Sequence, residues 1–220
     1  INAKMHSVNH VVLGGSAAPL ATVRAFEEKH DAFLIHAWGM TEMSPLGTVN
    51  SPTTELMALP KEDRYKRQLK QGRPIYGVDL KIIDDDGNEL PRDGKAYGRL
   101  LVRGPWITSG YYKSEDRSAF VDGWFDTGDV ATLDSLNTMQ IVDRRKDVIK
   151  SGGEWISSID LENIAVGHQA VKEACVIGVP HPKWDERPIL LVVLKDGASA
   201  TKEDIITYVS QHIAKFWTPD

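Results

Sequence analysis

Residues 11–42 read VVLGGSAAPLATVRAFEEKHDAFLIHAWGMTE, and their pattern decides the first part of the fold. Val11-Val12-Leu13 is a short apolar run closed by Gly14-Gly15-Ser16, as expected of a buried strand that ends in a tight turn. Residues 20–30 set Val23 and Phe26 against Glu27-Glu28-Lys29 and predict a helix. Residues 32–35 are the next apolar run and predict a second strand, with His36 to Glu42 following directly. Strand, turn, helix and strand in this order belong to an α/β layer. Ligands of such layers collect at the carboxyl ends of the strands, where Gly14-Gly15-Ser16-Ala17-Ala18-Pro19 and the His36 to Glu42 segment both fall.

The second of these segments packs an aromatic plate, a glycine, a hydroxyl and a carboxylate into residues 38–42, Trp-Gly-Met-Thr-Glu. An aromatic ring can lie against a purine, and a glycine lets backbone approach a phosphate. A hydroxyl can bond a phosphate oxygen, and a carboxylate suits Mg²⁺, which prefers hard oxygen ligands. The same residue types also meet in ordinary turns, so the segment alone leaves both readings open.

Downstream the texture changes twice. From Gly72 the chain becomes a series of short strands: residues 78–83 lead into an Asp86-Gly87 hairpin signal, residues 98–104 lie between two glycines, and Trp124-Phe125 and residues 139–142 follow. That density of turns predicts a small antiparallel sheet or barrel. After Asp143, residues 157–168 predict a helix with Ile159, Leu161, Ile164 and Val166 as its apolar set, and residues 171–179 and 189–195 predict paired strands. A last helical pattern runs over residues 201–216, opened by Thr201 with Glu203 and Asp204 favouring the positive end of its dipole. The expected division is 1–71, the end of an α/β N-terminal subdomain; 72–143, an antiparallel β-barrel subdomain; and 144–220, a hinged α+β C-terminal domain.

Composition narrows the function classes. The chain has 220 residues, 41% of them hydrophobic, with a net charge of −5 spread over interspersed acids and bases. No basic block points to nucleic acid, and no apolar run is long enough to span a bilayer. Cys175, the single cysteine, sits in Ala174-Cys175-Val176-Ile177 and reads as a buried small hydrophobe; a cytoplasmic setting is the default. The chain opens on Ile1 and closes on Pro219-Asp220, which reads as a piece of a longer protein.

Two further segments carry chemistry. Gly123-Trp124-Phe125-Asp126-Thr127-Gly128-Asp129 sets two aromatics beside two carboxylates, and the two oxygens of Asp129 can accept from two sugar hydroxyls; a hairpin with exposed acids is the competing reading. Asp143-Arg144-Arg145-Lys146-Asp147 and Lys150-Ser151-Gly152-Gly153-Glu154-Trp155 form a charged loop whose glycine pair calls for unusual dihedrals or close approach of a ligand. Taken in order, Gly-Gly-Ser-Ala-Ala-Pro, Trp-Gly-Met-Thr-Glu, Gly-Arg-Pro, Trp-Phe-Asp-Thr-Gly-Asp, Asp-Arg-Arg-Lys-Asp and Ser-Gly-Gly-Glu resemble the adenylate-forming superfamily of acyl-CoA synthetases over essentially the whole chain. The run KSGGEWIS at 150–157, with Trp38, is most similar to the medium- and long-chain fatty acid–CoA ligase branch.

The resemblance implies activation of a fatty acid by Mg²⁺-ATP to an acyl-adenylate, then transfer to coenzyme A after a rotation of the C-terminal domain. It implies that Trp38 stacks near adenine, with Gly39 and Met40 beside the nucleotide, and that Thr41 bonds the α-phosphate region. Glu42 holds Mg²⁺, and Gly15, Ser16 and Ala17 line the adenine and acyl side. Asp129 and Arg144 hold the ribose, and Lys146 occupies the hinge. Ser151, Gly152, Gly153 and Glu154 rotate toward the pantetheine channel, with Trp155 walling it or packing. A Ser/Thr/Gly-rich phosphate loop is expected upstream of Ile1 and an adenylating lysine downstream of Asp220, so residues 1–220 alone are expected to lack adenylation; pyrophosphate exchange above background would refute this. Asn137 stands where the pattern has a turn glycine, and Asp185 replaces another. An aryl acid or a carrier-protein acceptor is the enzymatic alternative, and a non-catalytic nucleotide-binding fragment is the other; oligomeric state is open, with a homodimer one option.

Overall fold

In the computed structural model, which describes residues 5–220, the apolar run around Val11 forms strand β1 (His10–Leu13), followed by helix α1 (Leu20–His30) and strand β2 (Phe33–Gly39). β1 and β2 pair in parallel, with Leu13 opposite His36, as a crossover helix requires. Val23 of α1 packs against Leu34 and Tyr65. The helix stops at Asp31, which takes a left-handed φ of 56°.

β2 runs further than its first apolar residues suggest. It continues through His36, Ala37 and Trp38 to Gly39, so the first two residues of the Trp-Gly-Met-Thr-Glu segment are strand. The reason is β3 (Leu46–Val49), which pairs antiparallel with Ala37 opposite Val49 and Gly39 opposite Leu46; β4 (Arg73–Pro74) completes the sheet. Between β3 and β4 lie two helices without an apolar period, α2 (Thr54–Met57) and α3 (Lys61–Gln68). α3 reads KEDRYKRQ; it is held by buried Tyr65 and by Arg64 and Gln68 donating to Glu27 of α1.

The second sheet is antiparallel and curled: β5 (Asp79–Ile83), β6 (Tyr97–Arg103), β8 (Trp124–Leu133) and β7 (Phe120–Val121) lie in that order, and β9 (Met139–Arg144) pairs with β8. Alternate residues Leu80, Ile82, Leu100, Val102, Phe125, Ala131 and Leu133 point inward and build its core. The Asp86-Gly87 signal makes a turn, but its return is a single bridge, Ile83 to Glu89. Pro91 follows, and a proline cannot donate to a ladder, so the return extends no further, while the other edge of β5 pairs with β6. Asn137 adopts a φ of 60°, the left-handed conformation expected of it.

The chain divides into two compact units, the first ending at Ile141 and the second spanning Val142–Asp220. In the second, β10 (Ile149–Ser151), β11 (Glu154–Ile156), β12 (Val171–His181) and β13 (Asp185–Leu194) form a sheet of order β11-β10-β13-β12. Helices α4 (Ser158–Val166) and α5 (Lys202–Ser210) cover one face through Leu161, Ala165, Ile205 and Val209. Ser157 caps α4, and Thr201 with Asp204 forms a capping box on α5. Two expectations are corrected here. α5 ends at Ser210 rather than continuing to Phe216, whose carbonyl accepts from Arg187 instead of a helical amide. Cys175 is exposed, because strand alternation turns it outward when Val176 turns into the core.

Candidate functional site

The parallel pairing of β1 and β2 brings the ends of two strands together, and with them the two segments read as ligand-binding. Gly15 follows β1 at a φ of 83°, with open space where a side chain would be. Ser16 is exposed, and its carbonyl lies 3.2 Å from Nε2 of His36 on β2, while Nδ1 of His36 lies 2.9 Å from the Leu69 carbonyl. His36 is 1% exposed, and burial lowers its pKa below 6.5 despite both carbonyl contacts. A neutral imidazole has one N–H, so only one of the two carbonyls receives it. Ala17, the next residue, is half-buried beside this junction.

The central contact of the first unit joins residues 91 positions apart. Nε1 of Trp38 donates to Oδ2 of Asp129 at 3.1 Å, and both side chains are buried. The Trp38 ring lies in the core with Met43 and over Gly47, where an added Cβ would sit 2.8 Å from the ring. Asp129 lies in the middle of β8, and its amide donates to the Thr127 hydroxyl, which donates to the Leu100 carbonyl. The two carboxylates of the Trp124 to Asp129 segment therefore separate. Asp126 pairs with Arg99 of β6 at 2.5 Å, and Asp129 turns to Trp38. The exposed-hairpin reading of Asp129 is thereby set aside.

Gly39 has a packing reason that the sequence does not disclose. A Cβ there would stand 1.8 Å from the Pro45 carbonyl oxygen, so the bare backbone accommodates the chain's own carbonyl. Met40, half-buried, packs against the same core as Trp38. Thr41 to Met43 form a short 3-10 turn, with Thr41 exposed and Glu42 half-buried. Glu42 is fixed twice: its carbonyl accepts from the Thr108 amide at 2.8 Å, and its Oε1 accepts from the Tyr111 hydroxyl at 2.8 Å. That bond raises the Tyr111 pKa, because the phenol serves as donor to a carboxylate. Tyr111 is a site neighbour that sequence reasoning missed; it lies 69 positions from Glu42, with no local pattern to mark it.

The described residues hold no group of three or more His, Cys, Asp or Glu arranged for a metal. A single partly exposed carboxylate beside a threonine hydroxyl still fits Mg²⁺, which keeps several waters and takes its other oxygens from a bound phosphate. Glu42 is the residue that would hold it. A cavity of about 780 Å³ in the first unit lies elsewhere. Val49, Leu56, Arg73 and Tyr76 line it, at the opposite end of β3 from Gly39; Arg73 and Pro74 of the Gly-Arg-Pro motif are among its walls, and the residues expected to touch nucleotide, metal or CoA are not.

In the second unit, Arg144 and Lys146 are exposed in a turn closed by the Asp147 and Val148 amides donating to the Arg144 carbonyl. Asp143 beside them is buried and accepts from the Ser158 and Arg144 amides, and burial raises its pKa. Ser151 is buried, and Gly152 and Gly153 connect β10 to β11 with φ of 62° and 86°, the positive pair that a type I′ hairpin needs. Glu154 is exposed, and the half-buried Trp155 lies under the Lys150 ammonium at 5.6 Å.

Residues 2–112 match the AMP-binding enzyme family and residues 160–220 match its C-terminal domain. The chain belongs to the AMP-binding enzyme family. It is 51% identical over 217 residues to a 3-methylmercaptopropionyl-CoA ligase of Ruegeria lacuscaerulensis, covering 99% of this chain and 40% of that protein. It is 46% identical to a medium-chain-fatty-acid–CoA ligase of Ectopseudomonas oleovorans, with the same coverage of 99% and 40%. Among solved structures, o-succinylbenzoate CoA synthetase of Bacillus subtilis in complex with its acyl-adenylate intermediate superposes with a TM-score of 0.84 at 29% identity, over 100% of this chain and 43% of that one. The chain thus spans about two fifths of the length of the relatives it matches. No helix among the described residues is long and apolar enough to cross a membrane.

Proposed function

We propose that the protein carrying this chain is an AMP-forming acid–CoA ligase. A carboxylate oxygen of the acid attacks the α-phosphorus of ATP and pyrophosphate leaves. The CoA thiol then attacks the acyl carbon, AMP leaves as the phosphate, and the thiol proton is released. The observation that supports the reading is the Trp38–Asp129 hydrogen bond, which ties the buried Asp129 carboxylate to the strand that leads into the Thr41-Glu42 turn. In this reading Trp38 bounds the adenine and, through its indole N–H, orients Asp129 toward the ribose hydroxyls. Gly39 and Met40 carry the backbone past the nucleotide. The exposed Thr41 hydroxyl donates to the α-phosphate, and Gly15, Ser16 and Ala17 line the adenine and acyl side. Bound Mg²⁺ would neutralise phosphate charge, with Glu42 holding it and Tyr111 fixing the Glu42 rotamer.

The roles in residues 144–220 rest on the motif match. Arg144 adds a charge-assisted bond to the ribose. Lys146 serves as hinge of a mobile C-terminal domain. Ser151, Gly152, Gly153, Glu154 and Trp155 form the CoA channel, in which Gly153 leaves open space where a side chain would stand. The acid is proposed to be a medium- to long-chain fatty acid, supported by the 46% identical relative from Ectopseudomonas oleovorans. A short thioether acid is the second reading, supported by the 51% identical relative from Ruegeria lacuscaerulensis.

The test supplies the complete gene product with ATP, Mg²⁺ and CoA and an acid panel of increasing chain length that includes 3-methylmercaptopropionate. AMP, pyrophosphate and acyl-CoA are the expected products, with kcat/KM peaking on a medium or long chain. A peak on the thioether acid selects the second reading. ADP as the nucleotide product, or AMP without any acyl-CoA, overturns the ligase assignment.

A further inference from the structure

The glycine turn of the second unit is held by a segment that no motif singles out. β10 touches the head of β13 at one register position, Ser151 opposite Asp185, yet four contacts converge there. The Gly152 amide donates to the Trp184 carbonyl at 2.7 Å. The Trp184 ring lies over Gly152 so closely that an added Cβ would stand 2.9 Å from it. The Lys150 amide donates to Glu186 at 2.8 Å, and the Arg187 guanidinium reaches the Ser151 hydroxyl at 3.3 Å. Arg187 also donates to the Phe216 and Thr218 carbonyls at 2.8 and 2.7 Å and pairs with the Asp220 carboxylate at 3.0 Å. Its side chain is 14% exposed, so these bonds are sheltered from competing water. One guanidinium thus ties the turn to the chain segment after α5. The backbone supports the same end: Asp185 sits at a φ of 71°, a left-handed conformation that brings Trp184 back over Gly152.

We propose that Trp184 and Arg187 are positioning residues for the Gly152-Gly153 turn, and that through it they govern transfer of the acyl group to the CoA thiol while leaving adenylate formation alone. A two-residue glycine turn has wide conformational freedom. Trp184 removes that freedom from one side by covering Gly152, and Arg187 removes it from the other by fixing Ser151. The proposal rests on the ligase reading for its catalytic half only; the holding of the turn is a property of the second unit itself.

The test compares Trp184→Ala, Trp184→Phe, Arg187→Ala and Arg187→Lys in the complete gene product by hydrogen exchange and by the two half-reactions. In Trp184→Ala the backbone amides of residues 150–154 should exchange about tenfold faster, with Trp184→Phe restoring part of the protection. Acid-dependent ATP–pyrophosphate exchange should stay within about twofold of wild type, while the KM for CoA rises about tenfold. Arg187→Ala should act in the same direction and Arg187→Lys only partly, since lysine lacks the planar fork. Unchanged amide exchange, or equal loss of both half-reactions, overturns the proposal. If Trp184→Ala fails to fold, the cost of Gly152→Ala in the Trp184→Phe background serves instead. It should be smaller than in wild type if the indole covers the turn, and strict additivity overturns the claim. Should the wild-type protein make no acyl-CoA, the ligase reading fails, and the amide exchange still decides whether the turn is held as described.

Discussion

Two glycine-containing segments, at Gly39 and at Gly152-Gly153, look alike in sequence and differ in what the glycine does. Gly39 has an ordinary strand conformation, and it is bare because the Pro45 carbonyl occupies the space of its side chain. Gly152 and Gly153 are bare because both have a positive φ, and Gly153 faces open space. The first segment is held by partners far along the chain, Asp129 and Tyr111, whereas the second is a local hairpin steadied by a neighbouring strand. A glycine in a binding motif therefore says little until its φ and its nearest atom are known.

Substitution tests that difference directly. Gly39→Ala should have the largest effect, at the upper end of the roughly 1–3 kcal/mol range for overpacking, because the clash is with backbone and no side chain can swing away. Chemical denaturation of the first unit measures it, and a loss below about 0.5 kcal/mol would mean that the strand yields easily. Gly153→Ala should cost about 1–2 kcal/mol, from left-handed backbone alone. Gly152→Ala should cost more than Gly153→Ala, since it adds contact with the Trp184 ring to the same strain; equal costs would place the ring elsewhere.

His36 supplies a smaller, pH-dependent distinction between the units. Its folded pKa lies below the unfolded value of 6.5 because it is buried. The unfolded chain therefore takes up the proton first as pH falls. The stability that neutral His36 contributes is complete above about pH 6.5 and is lost as pH falls through the folded value, with a slope of at most about 1.4 kcal/mol per pH unit. His36→Gln should flatten the stability of the first unit between pH 7 and 5 and leave the second unit unchanged. An identical pH profile in wild type and variant would remove His36 from this role.

Much of the fold was legible because its signals are local. The apolar run before Gly14, the helix of residues 20–30 and the glycine-bounded run of residues 98–104 each specify their own element, and the capping residues Ser157 and Thr201 mark two helix starts. The illegible parts depend on distant chain. α3 has almost no apolar period and exists through Tyr65 and ion pairs to α1. β2 extends to Gly39 only because β3 returns beside it. In the site, residue types at the motif positions were readable, but the engagement of Trp38 with Asp129, the support of Glu42 by Tyr111 and the covering of Gly152 by Trp184 are tertiary facts that leave no spacing to read.

The Trp38–Asp129 pair is the centre of the account, and Asp129→Asn in the complete gene product tests it most directly. The amide keeps the shape and an acceptor for the indole N–H but removes the charge offered to ribose hydroxyls. With the fold intact by near-ultraviolet circular dichroism, kcat/KM for ATP should fall about ten- to hundredfold, the size expected for losing hydrogen bonds to a charged group. ATP kinetics unchanged in the folded variant would contradict the assignment of this carboxylate to the nucleotide.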